Sequence, residues 1–391
     1  MECLGDWVLV SRGKARALEV SKQLTSVYIL CRNCSIRQGA FQSESANLLA
    51  YEEDCYICQG LMHQLDSIVG NIIRAIDGRY EFDTFLIGAS VPTEIYERED
   101  ELRAKFKIHG EESIKNQLTR MLRLRFASLT TTELDYLMPD LLINLLIQNK
   151  NEIKININSR NLVLAGRYVK KCRGIVQKQT KCHECSGKGC NFCNNSGLSG
   201  YDSIEGLIAK YLMAVTNGER LRFTWVGSED RQSLVLGKGR PFFVSISDPK
   251  KRKFKENLKV DNPCVSASVT DKFKQVTIGS ALKFVTKTRI LVSSSQTVSP
   301  IEYKNLHTLN GCNVSFHGKS RVAVKKIYYA YIDESAGECA SNCFYLTIIA
   351  DGGLAIKQFV EGREYMTPTV SELLRTNCEC VLFDVLDVWL R

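Results

Sequence analysis

The middle of the sequence contains two short motifs, Gly227-Ser228-Glu229-Asp230 and Leu236-Gly237-Lys238-Gly239-Arg240-Pro241-Phe242. The apolar and aromatic run 221–226 predicts a strand before the first motif, and the run 240–246 predicts a strand that begins in the second. We therefore expect Asp230 in a loop between two strands, where its carboxylate can face a cleft. An acidic pair in a loop is usually a solvated turn, so a catalytic role needs support from the rest of the chain.

The sequence after residue 200 alternates short strand patterns with loops, and it contains few helical patterns. Ser203, followed by apolar residues at helical spacing, predicts a capped helix over 203–215. Together these patterns predict an α+β fold whose sheet is mixed and largely antiparallel, with flanking helices. The predicted strands are 221–226, 240–246, 266–278, 288–293, 320–332, 344–350 and 380–389.

The first half of the chain has an α/β pattern. Apolar residues at helical spacing predict a helix over 58–76, and the charged segment 94–126 is also prone to form helix. Residues 182–200 are dense in Cys, Gly, Asn and Ser, which excludes a regular element and suggests a domain boundary. We predict three parts, at 1–65, 66–200 and 201–391. Strand patterns before that boundary lie at 82–86, 141–147, 152–157 and 161–169.

Four cysteines near the N-terminus form two Cys-x-x-Cys pairs, Cys31 with Cys34 and Cys55 with Cys58. Two such pairs supply four thiolates in the tetrahedral arrangement that Zn²⁺ prefers, and a site with four protein ligands is structural. The alternative is four buried free thiols. Since the N-terminus lacks the features of an export signal, metal binding is favoured over a disulfide framework.

A second and tighter cysteine box contains Cys182, Cys185, Cys190 and Cys193. Its glycines allow the sharp turns that bring four thiolates together, so we predict a second structural zinc site. His183 is an alternative ligand, although a solvated loop histidine is the simpler interpretation. The box also resembles one unit of the cysteine-rich zinc module of J-domain chaperones, which gives a protein chaperone as a further hypothesis.

The composition limits the partners and the chemistry. Lys and Arg number 52 and Asp and Glu 43 in 391 residues, and this net charge of +9 permits nucleic-acid binding. No apolar run is long enough to cross a membrane. We expect a cytoplasmic protein that is a monomer, since nothing in the sequence requires an oligomer.

Several cofactor and enzyme motifs fail. The segment Gly318-Lys319-Ser320 lacks the earlier glycine of a phosphate loop, because that position is Asn313. The other Gly-Lys-Gly segments lack the third glycine of a dinucleotide motif, and the cysteine clusters lack the histidine and glutamate of a zinc deaminase. No organic cofactor is therefore expected.

The two central motifs resemble the catalytic signature of the archaeal-type tRNA pseudouridine-54/55 synthases. Three other parts of the chain resemble that family in the same order, so the similarity covers nearly the whole sequence. These are the accessory-domain segment that begins Val91-Pro92-Thr93-Glu94-Ile95, the link Ala165-Gly166-Arg167-Tyr168 with Arg173-Gly174-Ile175, and the C-terminal Gly352-Gly353-Leu354-Ala355-Ile356-Lys357-Gln358-Phe359-Val360.

This resemblance implies a zinc-bearing, THUMP-like accessory region joined to a pseudouridine synthase catalytic domain. The first part would be the zinc module, the second would end in the second cysteine box, and the third would be catalytic. The reaction would convert uridine to pseudouridine in the T-loop of tRNA, with Asp230 as nucleophile. Lys357 would keep Asp230 ionised or contact the base, and Ile356 would pack on the base. Arg240, Thr288 and Ala355 complete the expected substrate site.

Some positions depart from the family pattern. Leu234 replaces a common arginine, and Thr288 and Ala355 stand where the family has tyrosines. Lost aromatic stacking amounts to about 1–3 kcal/mol per contact, and Tyr328, Tyr329 or Tyr365 are candidates to restore it. These departures support an alternative hypothesis, a tRNA-binding or tRNA-chaperone protein of the same fold with weak or no catalytic activity.

Two basic clusters are candidates for RNA contacts. Lys250, Lys251, Arg252, Lys253 and Lys255 surround one phenylalanine, which suits a phosphate track with a stacking ring, although a solvated basic turn has the same composition. Arg120 and Arg123 are three residues apart in the accessory region and can share a helix face. The resemblance implies that the accessory region grips the acceptor end of the tRNA.

Overall fold

The structure is a computed structural model of the chain. The structure describes residues 23–24, 26–39, 54–149, 152–254, 258–273, 282–317, 322–333, 342–362 and 365–391. The chain forms two compact units that part between Arg160 and Asn161. None of the helices in these residues is both long enough and apolar enough to cross a membrane.

The first unit is an α/β fold built on a four-stranded sheet. The sheet order is β2-β1-β3-β4; β1 runs parallel to β2 and β3, and β4 is antiparallel to β3. Its elements among the described residues are α1 (Arg32–Arg37), a 3₁₀ turn (Leu61–His63), α2 (Leu65–Ile76), β1 (Thr84–Ser90), α3 (Thr93–Phe106), α4 (Ile114–Thr130), β2 (Glu133–Leu134), β3 (Leu141–Asn149) and β4 (Glu152–Ser159).

The helices of this unit follow the apolar spacing, but one begins later than predicted and one predicted helical segment forms two helices. α2 buries Leu65, Ile68 and Ile72 on one face, as predicted, but it begins later than residue 58 because Gly60 is left-handed and a 3₁₀ turn precedes it. The predicted helical segment 94–126 is split into α3 and α4. The break follows from Lys107, whose left-handed backbone ends α3.

The second unit contains a large sheet that is antiparallel at every described pairing except that of β7 with β15. The prediction of a mixed, largely antiparallel sheet is confirmed. The described elements are β5 (Leu162–Lys170), a 3₁₀ turn (Asn191–Cys193), α5 (Ile204–Thr216), β6 (Arg220–Trp225), β7 (Val235–Ser247), β8 (Lys259–Asp261), β9 (Val265–Phe273), β10 (Phe284–Ser294), α6 (Pro300–Asn305), a 3₁₀ turn (Leu306–Leu309), β11 (Asn313–His317), β12 (Val322–Ile332), β13 (Cys343–Asp351), α7 (Ile356–Glu361), β14 (Met366–Thr367), α8 (Val370–Leu374) and β15 (Cys378–Leu390).

The strand order of this sheet is β14-β11-β12-β13-β10-β15-β7-β5-β9-β8, and β6 also pairs with β7. β5 therefore belongs to the second unit, because it hydrogen-bonds to β7 and β9. The sequence put the boundary near residue 200, whereas the compact units part before β5. The second cysteine box consequently lies within the second unit.

Two apolar clusters stabilise the second unit and hold the strands around the loop between β6 and β7. α5 is capped by Ser203, whose Oγ accepts a hydrogen bond from the Gly206 amide at 2.9 Å, as predicted. This helix packs Ile208 and Leu212 against β5 and β7, and the other cluster lies around β10, β13 and α7. The loop from β6 to β7 is thus framed by elements with fixed positions.

Candidate active site and metal centres

The loop that carries Asp230 connects β6 to β7, as the sequence predicted. Gly227 begins the loop with φ +80°, and a Cβ there would lie 2.6 Å from Arg240 Nη1 and 2.8 Å from the Phe284 ring. A Cβ on Gly352 would also collide with that ring. Both positions therefore require glycine, since a side chain would displace the residues around Asp230.

Asp230 and Lys357 form an ion pair at the mouth of a cleft. Lys357 Nζ donates to Asp230 Oδ2 at 2.8 Å, and the Gln232 amide donates to Asp230 Oδ1 at 2.9 Å. The hydrogen bond from Lys357, followed by that from Gln232, lowers the pKa of Asp230 below its usual value. The same contact raises the pKa of Lys357. The carboxylate is thus ionised at neutral pH while 31% of its side chain stays exposed.

The cleft has a volume of about 470 Å³, which lies within the usual range for small-molecule sites. Asp230 and all five residues predicted to bind substrate line it. Ala355, Ile356 and Lys357 lie at the start of the short helix α7. Residues far apart in sequence are therefore brought together as expected: Arg240, Thr288, Ala355, Ile356 and Lys357.

The predicted cleft residues differ in exposure. Thr288 is only 2% exposed and Arg240 only 1%. Arg240 Nη1 donates to the Val226 carbonyl at 2.8 Å, so its guanidinium supports the loop. Its role as a substrate contact stays a prediction.

Two phenylalanines in the cleft were missed by the sequence analysis. Phe284 on β10 and Phe383 on β15 are the aromatic residues of the described lining, and Tyr328, Tyr329 and Tyr365 do not belong to it. The alternation of side chains along β10 was a usable signal, because positions 284, 286 and 288 share one face of the strand. Phe383 had no such signal, since its position depends on the pairing of β15 with β10.

A buried polar layer beneath the loop was also missed. The Glu229 side chain is fully buried; its Oε2 accepts hydrogen bonds from the Tyr168 hydroxyl at 2.7 Å and from Arg240 Nε at 3.3 Å. The neighbouring acidic residues Glu229 and Asp230 thus lie in different surroundings. One carboxylate is buried among strand residues, while the other faces the cleft.

The N-terminal cysteine cluster has the geometry of a metal site. The Sγ atoms of Cys31, Cys34, Cys55 and Cys58 lie within 4.8 Å of one another, and those of Cys31 and Cys58 are 3.7 Å apart. Tetrahedral bonds of about 2.3 Å to zinc place thiolate sulfurs about 3.8 Å apart. All four cysteines are buried, and Arg37 Nη2 donates to Cys34 Sγ at 3.3 Å. This cluster can hold a metal ion.

The second cluster has similar geometry but is more exposed. The Sγ atoms of Cys182, Cys185, Cys190 and Cys193 also lie within 4.8 Å of one another. The amides of Gly189 and Gly197 donate to Cys185 and Cys193, each at 3.2 Å, and such contacts stabilise thiolates. His183 is outside the ligand group and its side chain is 69% exposed, as the solvated-loop interpretation expected.

One disulfide was not anticipated. Cys172 and Cys264, which belong to neither cluster, are bonded to each other. The Lys171 amide also donates to the Cys264 carbonyl at 2.8 Å. This link joins the segment after β5 to the loop before β9.

The basic segment after β7 agrees only in part with the predicted phosphate track. Lys251 and Lys253 are exposed, and Lys250 forms an ion pair with Asp248. The inclusion of Arg252 as a surface contact was wrong, because its side chain is only 3% exposed and packs within the fold. Lys255 lies outside the described residues.

The arginines of the accessory region lie on α4, as predicted. Arg120 is exposed and pairs with Glu112, with 2.5 Å between Nη2 and Oε1. Arg123 is half-buried; its Nε donates to the Ile87 carbonyl at 2.8 Å, and its guanidinium lies over the Tyr136 ring. Their contact with RNA stays a prediction.

Comparison with known proteins gives similarity along nearly the whole chain. In a solved Cbf5-Nop10-Gar1 complex, a chain matches 46% of this one and 44% of its own length at 9% identity and a TM-score of 0.29. The protein named tRNA pseudouridine synthase Pus10 from Nitrosopumilus maritimus is 33% identical over 95% of this chain and 98% of its own. That of Cenarchaeum symbiosum is 30% identical over 91% and 89%. Residues 163–389 match the family model "Pus10, C-terminal" and residues 68–145 match "Pus10 THUMP domain, archaeal". The chain therefore belongs to the Pus10 family.

Proposed function

We propose that this protein is a tRNA pseudouridine synthase that acts on T-loop uridines at position 54, position 55 or both, with Asp230 as the nucleophile. The names of its Pus10 relatives support the activity. The observation that carries the assignment of Asp230 is its ion pair with Lys357, 2.8 Å long, at the mouth of a cleft. The choice of T-loop uridines rests on the sequence resemblance.

The reaction is an isomerisation, so its atoms balance without a redox partner or an energy source. The target uridine leaves its stack and enters the cleft. The ionised Asp230 attacks the sugar or the base, and the bond between C1′ and N1 breaks. The uracil then rotates, C5 bonds to C1′, the proton on C5 leaves, and N1 gains a proton. Asp230 is finally released as a carboxylate.

The residues around Asp230 have supporting roles in this scheme. Lys357 keeps the carboxylate ionised, because it is the first cause of the lowered pKa of Asp230. Ile356 and Ala355 at the start of α7 offer an apolar surface to the base, and Phe284 and Phe383 supply aromatic surface in the same cleft. Aromatic stacking contributes about 1–3 kcal/mol per base. The two phenylalanine rings can therefore replace the stacking energy that is lost where Thr288 and Ala355 stand in place of the family's tyrosines.

The tRNA would contact both units. Lys251 and Lys253 are exposed basic residues of the second unit, and Arg120 is an exposed basic residue of the first. Phosphate contacts of this kind supply sequence-independent affinity. Following the sequence resemblance, we assign the acceptor end to the first unit and the T-loop to the second.

The metal would be zinc, held by Cys31, Cys34, Cys55 and Cys58 in one site and by the second cysteine box in the other. Four thiolates with close sulfur separations suit Zn²⁺ and leave no coordination position for a substrate. When bound, the ion would cross-link chain segments, and it would take no part in the isomerisation. Metal analysis should find about two Zn²⁺ per chain if both sites are filled.

The decisive test incubates the purified protein with unmodified tRNA transcript and maps pseudouridine at nucleotide resolution. The wild type should modify a T-loop uridine. Asp230→Asn should form no pseudouridine while its affinity for tRNA is retained. A fully active Asp230→Asn variant would remove Asp230 from the mechanism, and modification elsewhere in the tRNA would remove the T-loop assignment.

A tRNA-binding protein without chemistry is the second candidate. It is favoured by Thr288 and Ala355, which line the cleft where the family pattern has tyrosines. This candidate predicts that the same preparation binds tRNA and forms no pseudouridine. The mapping experiment therefore separates the two functions.

A further inference from the structure

Lys170 is a fully buried lysine directly beneath the loop that carries Asp230. It is the last residue of β5, and its side chain is 0% exposed. Its Nζ donates to three carbonyls: Ile175 at 2.8 Å, Asp230 at 3.2 Å and Arg231 at 3.1 Å. An ammonium group has three hydrogens, so every donor is used inside the protein. Two of the three acceptors belong to the Asp230 loop.

Burying an ammonium group is costly unless a counterion is present. Here the counterion is Glu229, whose Oε1 lies 3.6 Å from Lys170 Nζ. The other oxygen of Glu229 is already occupied by Tyr168 and Arg240. Two cations thus share one buried anion, which leaves an excess positive charge beneath the loop. After Lys357 and the Gln232 amide, Lys170 is a further cause that lowers the pKa of Asp230.

We propose that Lys170 is a positioning residue for Asp230: its buried ammonium group fixes the backbone of residues 230 and 231 and so aims the Asp230 carboxylate at Lys357 and the cleft. This proposal rests on the proposed function, in which Asp230 is the nucleophile. Lys170 does not line the cleft, so it acts through Asp230 and not on the substrate. Orientation of this kind is worth about 100-fold in rate when a reacting group is misplaced by roughly 1 Å.

Two of the three carbonyls that Lys170 binds keep another donor when Lys170 is replaced, and only the Ile175 carbonyl loses the donor described here. The Asp230 carbonyl accepts a second hydrogen bond from the Ser233 amide at 3.0 Å, and the Arg231 carbonyl accepts one from the Gly174 amide at 3.0 Å. Glu229 would keep Tyr168 and Arg240 as partners. Lys170→Met therefore leaves no unpaired buried charge. The methionine side chain is similar in length to that of lysine, so the substitution removes the ammonium group and little else.

The test compares Lys170→Met with Lys171→Met, a neighbour with the same charge and an exposed side chain. Three quantities are measured: the single-turnover rate of pseudouridine formation, the affinity for tRNA, and the titration of the Asp230 carboxyl by ¹³C NMR, assigned with Asp230→Asn. Lys170→Met should lower the rate about 100-fold, leave tRNA affinity unchanged and move the carboxyl titration to higher pH. Lys171→Met should match the wild type in all three.

A folded Lys170→Met variant with wild-type rate and wild-type carboxyl titration would overturn the proposal. The same holds if only its unfolding midpoint changes, because that is the result of a purely structural lysine. If Lys170→Met does not fold, Lys170→Gln replaces it, since an amide keeps two donors without the charge. An inactive wild type would instead reject the proposed function, and the carboxyl titration would still decide whether Lys170 positions Asp230.

Discussion

Glu99 in the first unit and Asp230 in the second each pair with a cation, but in different surroundings. Glu99 Oε1 accepts from Arg37 Nε at 2.5 Å, and the two side chains are 2% and 0% exposed. Its other oxygen accepts from the Ile114 amide at 3.0 Å. Asp230 and Lys357 are 31% and 51% exposed, and both line a cleft.

The difference lies in what else each pair can bind. The Arg37 guanidinium also donates to Gln117 and to Cys34 Sγ, so it joins α1 to α3, α4 and the first cysteine cluster. A buried and fully bonded pair has no room for a substrate, and breaking it leaves an uncompensated charge. An exposed pair adds little stability but leaves the carboxylate open to a reactant. Exposure and free volume, not the presence of an ion pair, separate the structural site from the catalytic candidate.

Removal of the first cysteine cluster should cause the largest loss of stability, and this loss should be confined to the first unit, which contains the Arg37–Glu99 pair. Structural zinc sites bind with an apparent free energy of about 10–16 kcal/mol, which contributes to folding. In Cys34→Ser/Cys55→Ser, we expect α2 and α4 to lose protection from hydrogen exchange while β10 and β13 keep it. Cys312→Ser, outside both clusters, is the control. Full protection of α2 and α4 in the double variant would contradict a structural metal site.

Loss of the buried Arg37 cation should cause the second-largest loss of stability. Arg37→Met removes the closest counterion of the buried Glu99 and leaves Arg103, whose Nη2 lies 3.4 Å from Glu99 Oε1. Breaking a buried pair costs about 3–5 kcal/mol. The free energy of unfolding of the first unit should fall by that amount in chemical denaturation. Arg120→Met removes an exposed partner of Glu112 and should cost less than about 1 kcal/mol. Equal losses in the two variants would remove the distinction between buried and exposed pairs.

Loss of the exposed cation should change rate more than stability. Lys357→Met removes the ammonium group that binds the Asp230 carboxylate, and we expect the single-turnover rate to fall about 100-fold with little change in the free energy of unfolding. Because Lys357 lowers the pKa of Asp230, the wild-type rate should decline only at acidic pH. In the variant that decline should begin at higher pH, since the carboxyl protonates more easily.

The exposed Lys210 on α5 supplies the control for this prediction. Lys210→Met should have the wild-type rate and the wild-type pH profile. A Lys357→Met variant with an unshifted acidic limb would mean that Lys357 does not set the ionisation of Asp230. A large loss of stability with an unchanged rate would make the Asp230–Lys357 pair structural, as the Arg37 pair is.

The sequence allowed prediction of the parts that depend on local pattern. Most strands of the second unit, the capped helix after Ser203 and both cysteine clusters were predicted from spacing, and the structure contains them. The short strands β8, β11 and β14 were not predicted. The convergence of Asp230 and Lys357 on one cleft was expected only through the resemblance, because 127 residues separate them. Local periodicity carries no information about that distance.

The features that were missed depend on strand pairing and burial. Lys170 and Tyr168 lie beneath the Asp230 loop because β5 pairs with β7, and nothing in their own sequence indicates this. Phe383 reaches the cleft through the pairing of β15 with β10. Arg252 was predicted to be on the surface because charged runs usually are, yet the fold buries it. A basic run therefore cannot be assigned to RNA binding residue by residue without its burial.

The smallest effect should be a change in the salt dependence of tRNA binding. It extends the comparison of buried and exposed charges to single basic residues of one segment. Lys251 and Lys253 are exposed and Arg252 between them is buried. If the two lysines contact phosphates, Lys251→Gln/Lys253→Gln should reduce the slope of log affinity against log salt by about 1–2, with a uniform loss of affinity across tRNA sequences. Lys304→Gln, an exposed lysine on α6, provides the matched control. Arg252→Gln should instead lower the free energy of unfolding and leave the slope unchanged. An unchanged slope in the double variant would make this segment a solvated turn, because counterion release requires that the charges meet phosphates.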